Sequence, residues 1–279
     1  MNNKFVFFGT PEVSSETLKI LKESGFLPSL IITSPDRPSG RGLQMTPSPT
    51  KVFAVENNIP FLTPEKLNDE IYEKLKNENA DLFIVVAYGK ILPERFINLP
   101  KIYTINIHYS LLPKYRGASP VESAILNGDK FTGISIQKMA FKMDTGPILI
   151  EEKVEIGNDE KAFELKGRLI KIGGDLLASN LPKIFENSLT TKEQDESLST
   201  YCTKISKEDG LIDLNADAEI NYNKFRAYYT WPKTYFFQNG KRIIIKDAVL
   251  KDNKFIILKV IPEGKKEISY ADFLKNTII

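Results

Sequence analysis

The chain has 279 residues, 42% of them hydrophobic and 27% charged, with a formal net charge of +2. That is enough for one large domain or two unequal ones of ordinary globular composition. One cysteine, Cys202, and one histidine, His108, exclude an internal disulfide and leave no ligand set for a structural zinc site. No apolar run approaches bilayer length, and a reducing cytoplasm is the expected setting.

Phe5–Phe8 reads as a buried first strand, followed by Gly9 for a tight turn. Thr10 is placed to N-cap a helix, with Pro11 in its first turn. Val13, Thr17, Leu18, Ile20 and Leu21 form a helical stripe that ends near Gly25. Ser29–Thr33 reads as a second strand, and residues 34–49 as a long polar loop. Leu82–Ala87 is a β-branched run with Tyr88-Gly89 at its exit. Ile102–Ile107 is a further strand that delivers Asn106 and His108 to its carboxyl end. This alternation predicts a Rossmann-like α/β domain with a mainly parallel sheet, whose ligands bind outside the carboxyl ends of the strands. Gly9-Thr10-Pro11 lacks the G-x-G-x-x-G glycines of a nicotinamide site.

Residues 119–128 read as a helix closed by Gly128. Thr132–Met139 alternates as a strand, and Pro147–Val154 is another. Lys161–Ser188 is helical in pattern, with Gly173-Gly174 as a weak point. Leu189–Ser199 is polar and reads as a linker. From about Lys204 the chain turns basic and β-rich. Strands are expected at Arg242–Ile245, Ala248–Leu250 and Phe255–Val260, with turns at Asn239-Gly240 and Asp252-Asn253. Lys224–Lys266 holds eleven basic residues against three acidic ones, a balance that suits an anionic partner such as nucleic acid or, equally, a solvated basic face. The expected segments are a catalytic domain at 1–188, a linker at 189–203 and a small basic β domain at 204–279.

Histidine is the side chain whose ordinary pKa lies closest to neutrality, so any imidazole chemistry rests on His108. Asn106 is two residues before it and projects to the same side of the strand. Asp144 lies in the turn-like Met143-Asp144-Thr145-Gly146. Acyl transfer to an amine needs donors aimed at the developing oxyanion and a base for the amine proton. Asn106 and His108 can donate, and Asp144 can orient the ring and accept the proton. An isolated histidine near a strand end more often only caps backbone groups, so the flanking pattern has to decide.

Asn106-x-His108, Ser110-Leu111-Leu112-Pro113 and Asp144-Thr145-Gly146, in that order, resemble the folate-dependent formyltransferases over nearly the whole chain. The resemblance implies that Asn106, His108 and Asp144 are catalytic. It implies a folate pocket bordered by Ser110, Leu111, Leu112 and Pro113 and by the strand exit with Tyr88, Gly89, Ile91 and Leu92. The co-substrate it implies is 10-formyltetrahydrofolate, with no metal. The loop Ser34–Gly42, with Arg37 and Arg41, resembles the inserted loop of the tRNA-directed branch, which implies tRNA contacts there. The basic segment, including Tyr201–Glu208 and Trp231-Pro232, resembles that branch's RNA-binding domain. Trp231 could stack on a base, although a buried core tryptophan is the commoner case.

The implied reaction is formyl transfer to the α-amine of methionine on initiator tRNA, by a monomer. The alternative is an N-formyltransferase acting on a nucleotide-linked amino sugar. Two departures bear on the tRNA contact. A few tens of residues are missing between Lys246 and Phe255, which predicts an abbreviated OB-like barrel, and Leu43-Gln44-Met45 stands where lysines are expected.

Overall fold

The computed structural model describes residues 3–40 and 42–275. Arg41, one of the two arginines expected to meet tRNA, lies outside the described residues. In chain order the first half runs β1 (Phe5–Gly9), α1 (Glu12–Glu23), β2 (Leu30–Ile32), β3 (Arg37–Ser39), β4 (Gln44–Thr46), α2 (Pro49–Glu56), β5 (Phe61–Leu62), α3 (Asp69–Glu78), β6 (Leu82–Val86), α4 (Glu94–Ile97), β7 (Tyr103–His108) and β8 (Arg116–Gly117). Then come α5 (Pro120–Leu126), β9 (Phe131–Lys138), β10 (Ile148–Glu155), α6 (Ala162–Phe185), β11 (Tyr201–Cys202), α7 (Ala218–Ala227), β12 (Tyr235–Gln238), β13 (Lys241–Lys251), β14 (Lys254–Pro262), β15 (Ile268–Ser269) and α8 (Tyr270–Lys275).

The chain clusters into two compact units. One takes residues 1–116, 133–153 and 168–200; the other takes 117–132, 154–167 and 201–279. This interleaving divides the chain differently from the sequence segments 1–188, 189–203 and 204–279. Its cause is local. Helix α5 packs on α7, and the loop 157–160 is tied to α7 by Tyr222 Oη donating to Asp159 Oδ1 at 2.7 Å and by Arg226 donating to the Gly157 and Glu160 carbonyls at 3.2 Å.

The first unit is built on a seven-stranded sheet of order β10-β9-β7-β6-β1-β2-β5. β1, β2, β5, β6 and β7 pair in parallel, and β7 pairs with β9 antiparallel. Every residue of β1 and β6 is buried, as strands covered on both faces require. On one face Phe8 meets Phe83 at a centroid distance of 5.2 Å and the edge of Tyr88 at 5.5 Å. Such pairs add about 0.5–1.5 kcal/mol each beyond burial.

The expected N-cap is displaced by one residue. Pro11 takes the N-cap position and receives the Ser14 and Ser15 amides through its carbonyl. The Thr10 hydroxyl instead donates to the Tyr88 carbonyl at 3.0 Å and so ties β1 to the exit of β6. Residues 34–49 are not wholly irregular, since β3 and β4 form an exposed antiparallel ribbon within them. The Gly173-Gly174 pair does not weaken α6. A Cβ on Gly173 would touch Ile134 and Tyr109, and one on Gly174 would crowd Ile20 of α1, so the first glycine lets the helix lie close to the sheet and the second lets it lie close to α1.

In the second unit β12, β13, β14 and β15 form a four-stranded sheet in that linear order, antiparallel throughout. The two separate strands expected at Arg242–Ile245 and Ala248–Leu250 are one eleven-residue strand, with register shifts on either side of Asp247. A bulge of that kind turns a strand without ending it. Asn239-Gly240 and Asp252-Asn253 are the turns, all four residues with positive φ. Trp231 is 53% exposed, which corrects the expectation of a core tryptophan: the inner face is already filled by Phe225, Phe236, Ile243, Ile245, Ile257 and Val260.

Candidate active site

β7 ends the run of parallel strands, and its register against β9 sets Asn106 opposite Gln137 and His108 opposite Ser135. Opposed residues share a face. Asn106, His108, Ser135 and Gln137 therefore point one way, while Ile105, Ile107, Ile134 and Ile136 fill the core on the other. The loop from β9 to β10 brings Asp144 back over this polar face, so the three residues expected to act together do meet. Asp144 Oδ1 lies 3.5 Å from Asn106 Nδ2, and Asp144 Oδ2 lies 3.6 Å from His108 Nδ1. Both contacts are looser than an ordinary hydrogen bond.

The tight partner of the Asp144 carboxylate is Gln137, whose Nε2 donates to Oδ1 at 3.0 Å. Asp144 is also not the group that sets the imidazole tautomer. His108 Nε2 lies 2.8 Å from the Tyr115 carbonyl oxygen. A carbonyl only accepts, so Nε2 carries the proton and Nδ1 is the nitrogen left to face Asp144. His108 is buried, while Asp144 keeps 13% of its side chain exposed.

Behind these residues is a network that the sequence did not disclose. Asp144 has a φ of +53°, a left-handed conformation that aspartate adopts more readily than most non-glycine residues, and its main chain is held on the far side. Gln194 Nε2 donates to the Asp144 carbonyl at 2.9 Å and to the Gly146 carbonyl at 2.7 Å. Gln194 Oε1 accepts from Arg116 Nε at 3.1 Å and Nη2 at 2.8 Å. Arg116 is fully buried and forms a two-pronged pair with Glu196, at 3.0 Å from Nη1 and 2.8 Å from Nη2. The hydrogen bond from Arg116 holds the Glu196 carboxyl below its usual range. Thr200 accepts the Tyr115 amide at its hydroxyl, 2.8 Å, and the Arg116 amide at its carbonyl, 2.9 Å. The stretch that reads as a polar linker thus braces the site. A legible signal did exist for Gln137, which shares with Ser135 the polar face of a strand whose other face carries Ile134 and Ile136.

The Ser110–Pro113 loop leaves the same carboxyl edge. Ser135 Oγ donates to the Ser110 carbonyl at 2.7 Å and accepts the Leu112 amide at 3.1 Å, and Ser110 Oγ donates to the Lys114 carbonyl at 2.6 Å. Ser110 and Leu112 are buried, whereas Leu111 and Pro113 are partly open. Val85 lies opposite Asn106, so the exit of β6 emerges beside β7. There Gly89 is open, with a φ of +79°, and Ile91 is exposed. Tyr88 and Leu92 are core residues, so at this edge they offer main chain more than side chain. Burial pushes the Tyr88 phenol up to about 12. Arg37 is exposed and paired with Glu65 at 2.9 Å. Among the described residues no group of three or more His, Cys, Asp or Glu could hold a metal ion, and no helix is long and apolar enough to cross a membrane.

This arrangement places an amide, an imidazole and a carboxylate around one point at a sheet edge, and comparison with known proteins gives it context. The formyl transferase family matches residues 3–181, and the formyl transferase C-terminal domain matches residues 204–256. The methionyl-tRNA formyltransferase of Halalkalibacterium halodurans is 39% identical over 299 residues, covering 98% of this chain and 94% of the relative. That of Sulfurihydrogenibium sp. is 42% identical over 247 residues, covering 88% and 79%. Among solved structures, the N-formyltransferase from Helicobacter canadensis, in complex with folinic acid and dTDP-3-aminofucose, matches with a TM-score of 0.69 at 19% identity, covering 96% of this chain and 98% of that one. The methionyl-tRNA formyltransferase from Clostridium thermocellum matches with a TM-score of 0.59 at 18% identity, covering 93% and 98%. At such identities these two structures bear on the fold alone.

Proposed function

The chain belongs to the formyl transferase family, and from that premise we propose that it moves a formyl group from 10-formyltetrahydrofolate to the α-amine of methionine esterified to initiator tRNA. The observation that carries the chemistry is the convergence of Asn106, His108 and Asp144. The acceptor is drawn from the relatives that match along nearly the whole chain, which are enzymes of methionyl-tRNA. In this reading the amine lone pair forms a bond to the formyl carbon, and the formyl oxygen takes the charge. Asn106 Nδ2 and a protonated His108 Nδ1 donate to that oxygen. Each fixed donor at a developing oxyanion is worth about 100- to 1000-fold in rate.

The amine gives its proton to Asp144, directly or through water. Collapse breaks the bond between the formyl carbon and the folate nitrogen, which takes a proton and leaves as tetrahydrofolate. Electrons and protons balance without a redox partner. No serine or cysteine nucleophile is needed, because the acceptor supplies its own. The open backbone of Gly89 and the partly open Leu111 and Pro113, with Ser110, Leu112, Tyr88, Ile91 and Leu92 around them, suit a flat heterocycle with a hydrogen-bonding edge. Arg37, Arg41 and the basic sheet would meet tRNA phosphates. The protein would act as a cytoplasmic monomer.

The test is single-turnover formylation with a labelled formyl donor, offering charged initiator tRNA and a nucleotide-linked amino sugar side by side. Product on the tRNA is expected. Product on the sugar alone would replace this reading by the sugar-directed one.

A further inference from the structure

We propose that Gln194, clamped by the buried Arg116, is a positioning residue that sets the spacing between Asp144 and His108. The proposal rests on the reading of Asn106, His108 and Asp144 as the formyl-transfer site. The orientation of the Gln194 amide is dictated by its neighbours: Arg116 can only donate and the Asp144 and Gly146 carbonyls can only accept. Both hydrogens of Nε2 are therefore turned to the Asp144 turn, at 2.9 and 2.7 Å, and Oε1 is turned to Arg116. Gln194 restrains the main chain of that turn on both sides of Thr145, while Gln137 fixes the carboxylate itself.

The same short stretch governs the other partner. Thr200 Oγ1 accepts the Tyr115 amide, and the Tyr115 carbonyl holds His108 Nε2. Gln194 through Thr200 is thus one strap with an end on each reacting residue. Glu196, paired with Arg116 midway along it, anchors the guanidinium on which Gln194 depends.

The deciding variants are Gln194→Glu and Gln194→Asn. Glutamate matches glutamine in size and still accepts from Arg116, but it presents an oxygen to two carbonyls where two N–H groups stood. Asparagine keeps the amide and falls a methylene short. Positioning predicts that both lower kcat by roughly 10- to 100-fold, as displacement of a catalytic group by up to about 1 Å does, with KM for the folate donor within twofold of the parent.

A second readout does not need turnover. His108 is the only histidine, so a uniformly 15N-labelled protein gives one pair of imidazole resonances, which both variants should shift. A folded variant with kcat within threefold of the parent and unmoved resonances would overturn the proposal. A glutamate variant as active as the parent would reduce Gln194 to a space-filling role. If one variant does not fold, the other decides. Should the parent fail to formylate tRNA, the functional reading falls, whereas the resonance shift still tests the strap.

Discussion

Replacement of Gly146 by alanine is the most direct challenge to this account. Gly146 closes the turn that carries Asp144. A Cβ there would lie 2.9 Å from the carbonyl carbon of Lys138, 3.2 Å from the Ala140 nitrogen and nearer still to the Lys138 oxygen, where ordinary contact begins at 3.4 Å. These neighbours are main chain, and the Lys138 amide is itself committed to the Pro147 carbonyl at 2.9 Å. They cannot swing aside as a long side chain could, so the turn must shift by roughly 1 Å or more, enough to lower kcat by about 100-fold. Overpacking of this kind costs about 1–3 kcal/mol, which leaves a protein of ordinary stability folded. Steady-state kinetics with charged tRNA and a thermal melt would measure both effects. Gly167→Ala is the internal control. Gly167 lies within α6 with nothing within 4 Å of its Cβ, so alanine should stabilise by about 0.5–1 kcal/mol and leave kcat alone. Parental kcat in Gly146→Ala would show that the turn yields without moving Asp144, and the geometric argument would fail.

Gln137→Leu removes the 3.0 Å hydrogen bond to Asp144 Oδ1; kcat should fall about 10-fold with donor KM unchanged, a loss on the scale of an outer-sphere partner. Asp81 is held below the usual aspartate range by the Lys4 amide first and Lys101 second. Its stabilising contribution is therefore complete above a pH of about 4 and lost as pH falls through the lower folded value. Asp81→Asn should lower the melting temperature at neutral pH, with the two curves converging at low pH. Arg37→Ala should raise KM for tRNA without changing donor KM or stability, since its exposed pair with Glu65 is worth about 0–1 kcal/mol; an equal loss of donor binding would make the ribbon structural. Trp231→Ala should leave the melting temperature within a few degrees and raise KM for tRNA, and an unchanged KM would remove Trp231 from the RNA surface.

Much of the fold was legible because its signals are local. Phe5–Phe8 and Leu82–Val86 are short apolar runs that only a covered parallel sheet accommodates, and Asn239-Gly240 and Asp252-Asn253 announce their turns. The residues proposed to act together were legible because a lone histidine two residues from an asparagine at a strand end narrows the choice. The bracing of the site was not. Gln194, Glu196 and Thr200 lie in a stretch with no hydrophobic period, and their meaning comes from partners 48 to 85 residues away. Nothing local to Arg116 says that this arginine will be fully buried. Gly173-Gly174 read as a weakness because helix propensity counts the backbone cost and cannot see the sheet and the α1 side chain that the missing side chains admit.

The Tyr115 carbonyl keeps one nitrogen of the imidazole permanently supplied with hydrogen. Such a ring cannot act as a two-door relay, taking a proton at one side and releasing it at the other. Whatever His108 gains at Nδ1 it must surrender at Nδ1, in the same enclosed space. With 13% of its side chain in contact with solvent against 6% for the histidine, Asp144 is the more open of the two, and in the proposed transfer the proton it takes from the amine is matched by the one the folate nitrogen receives on leaving.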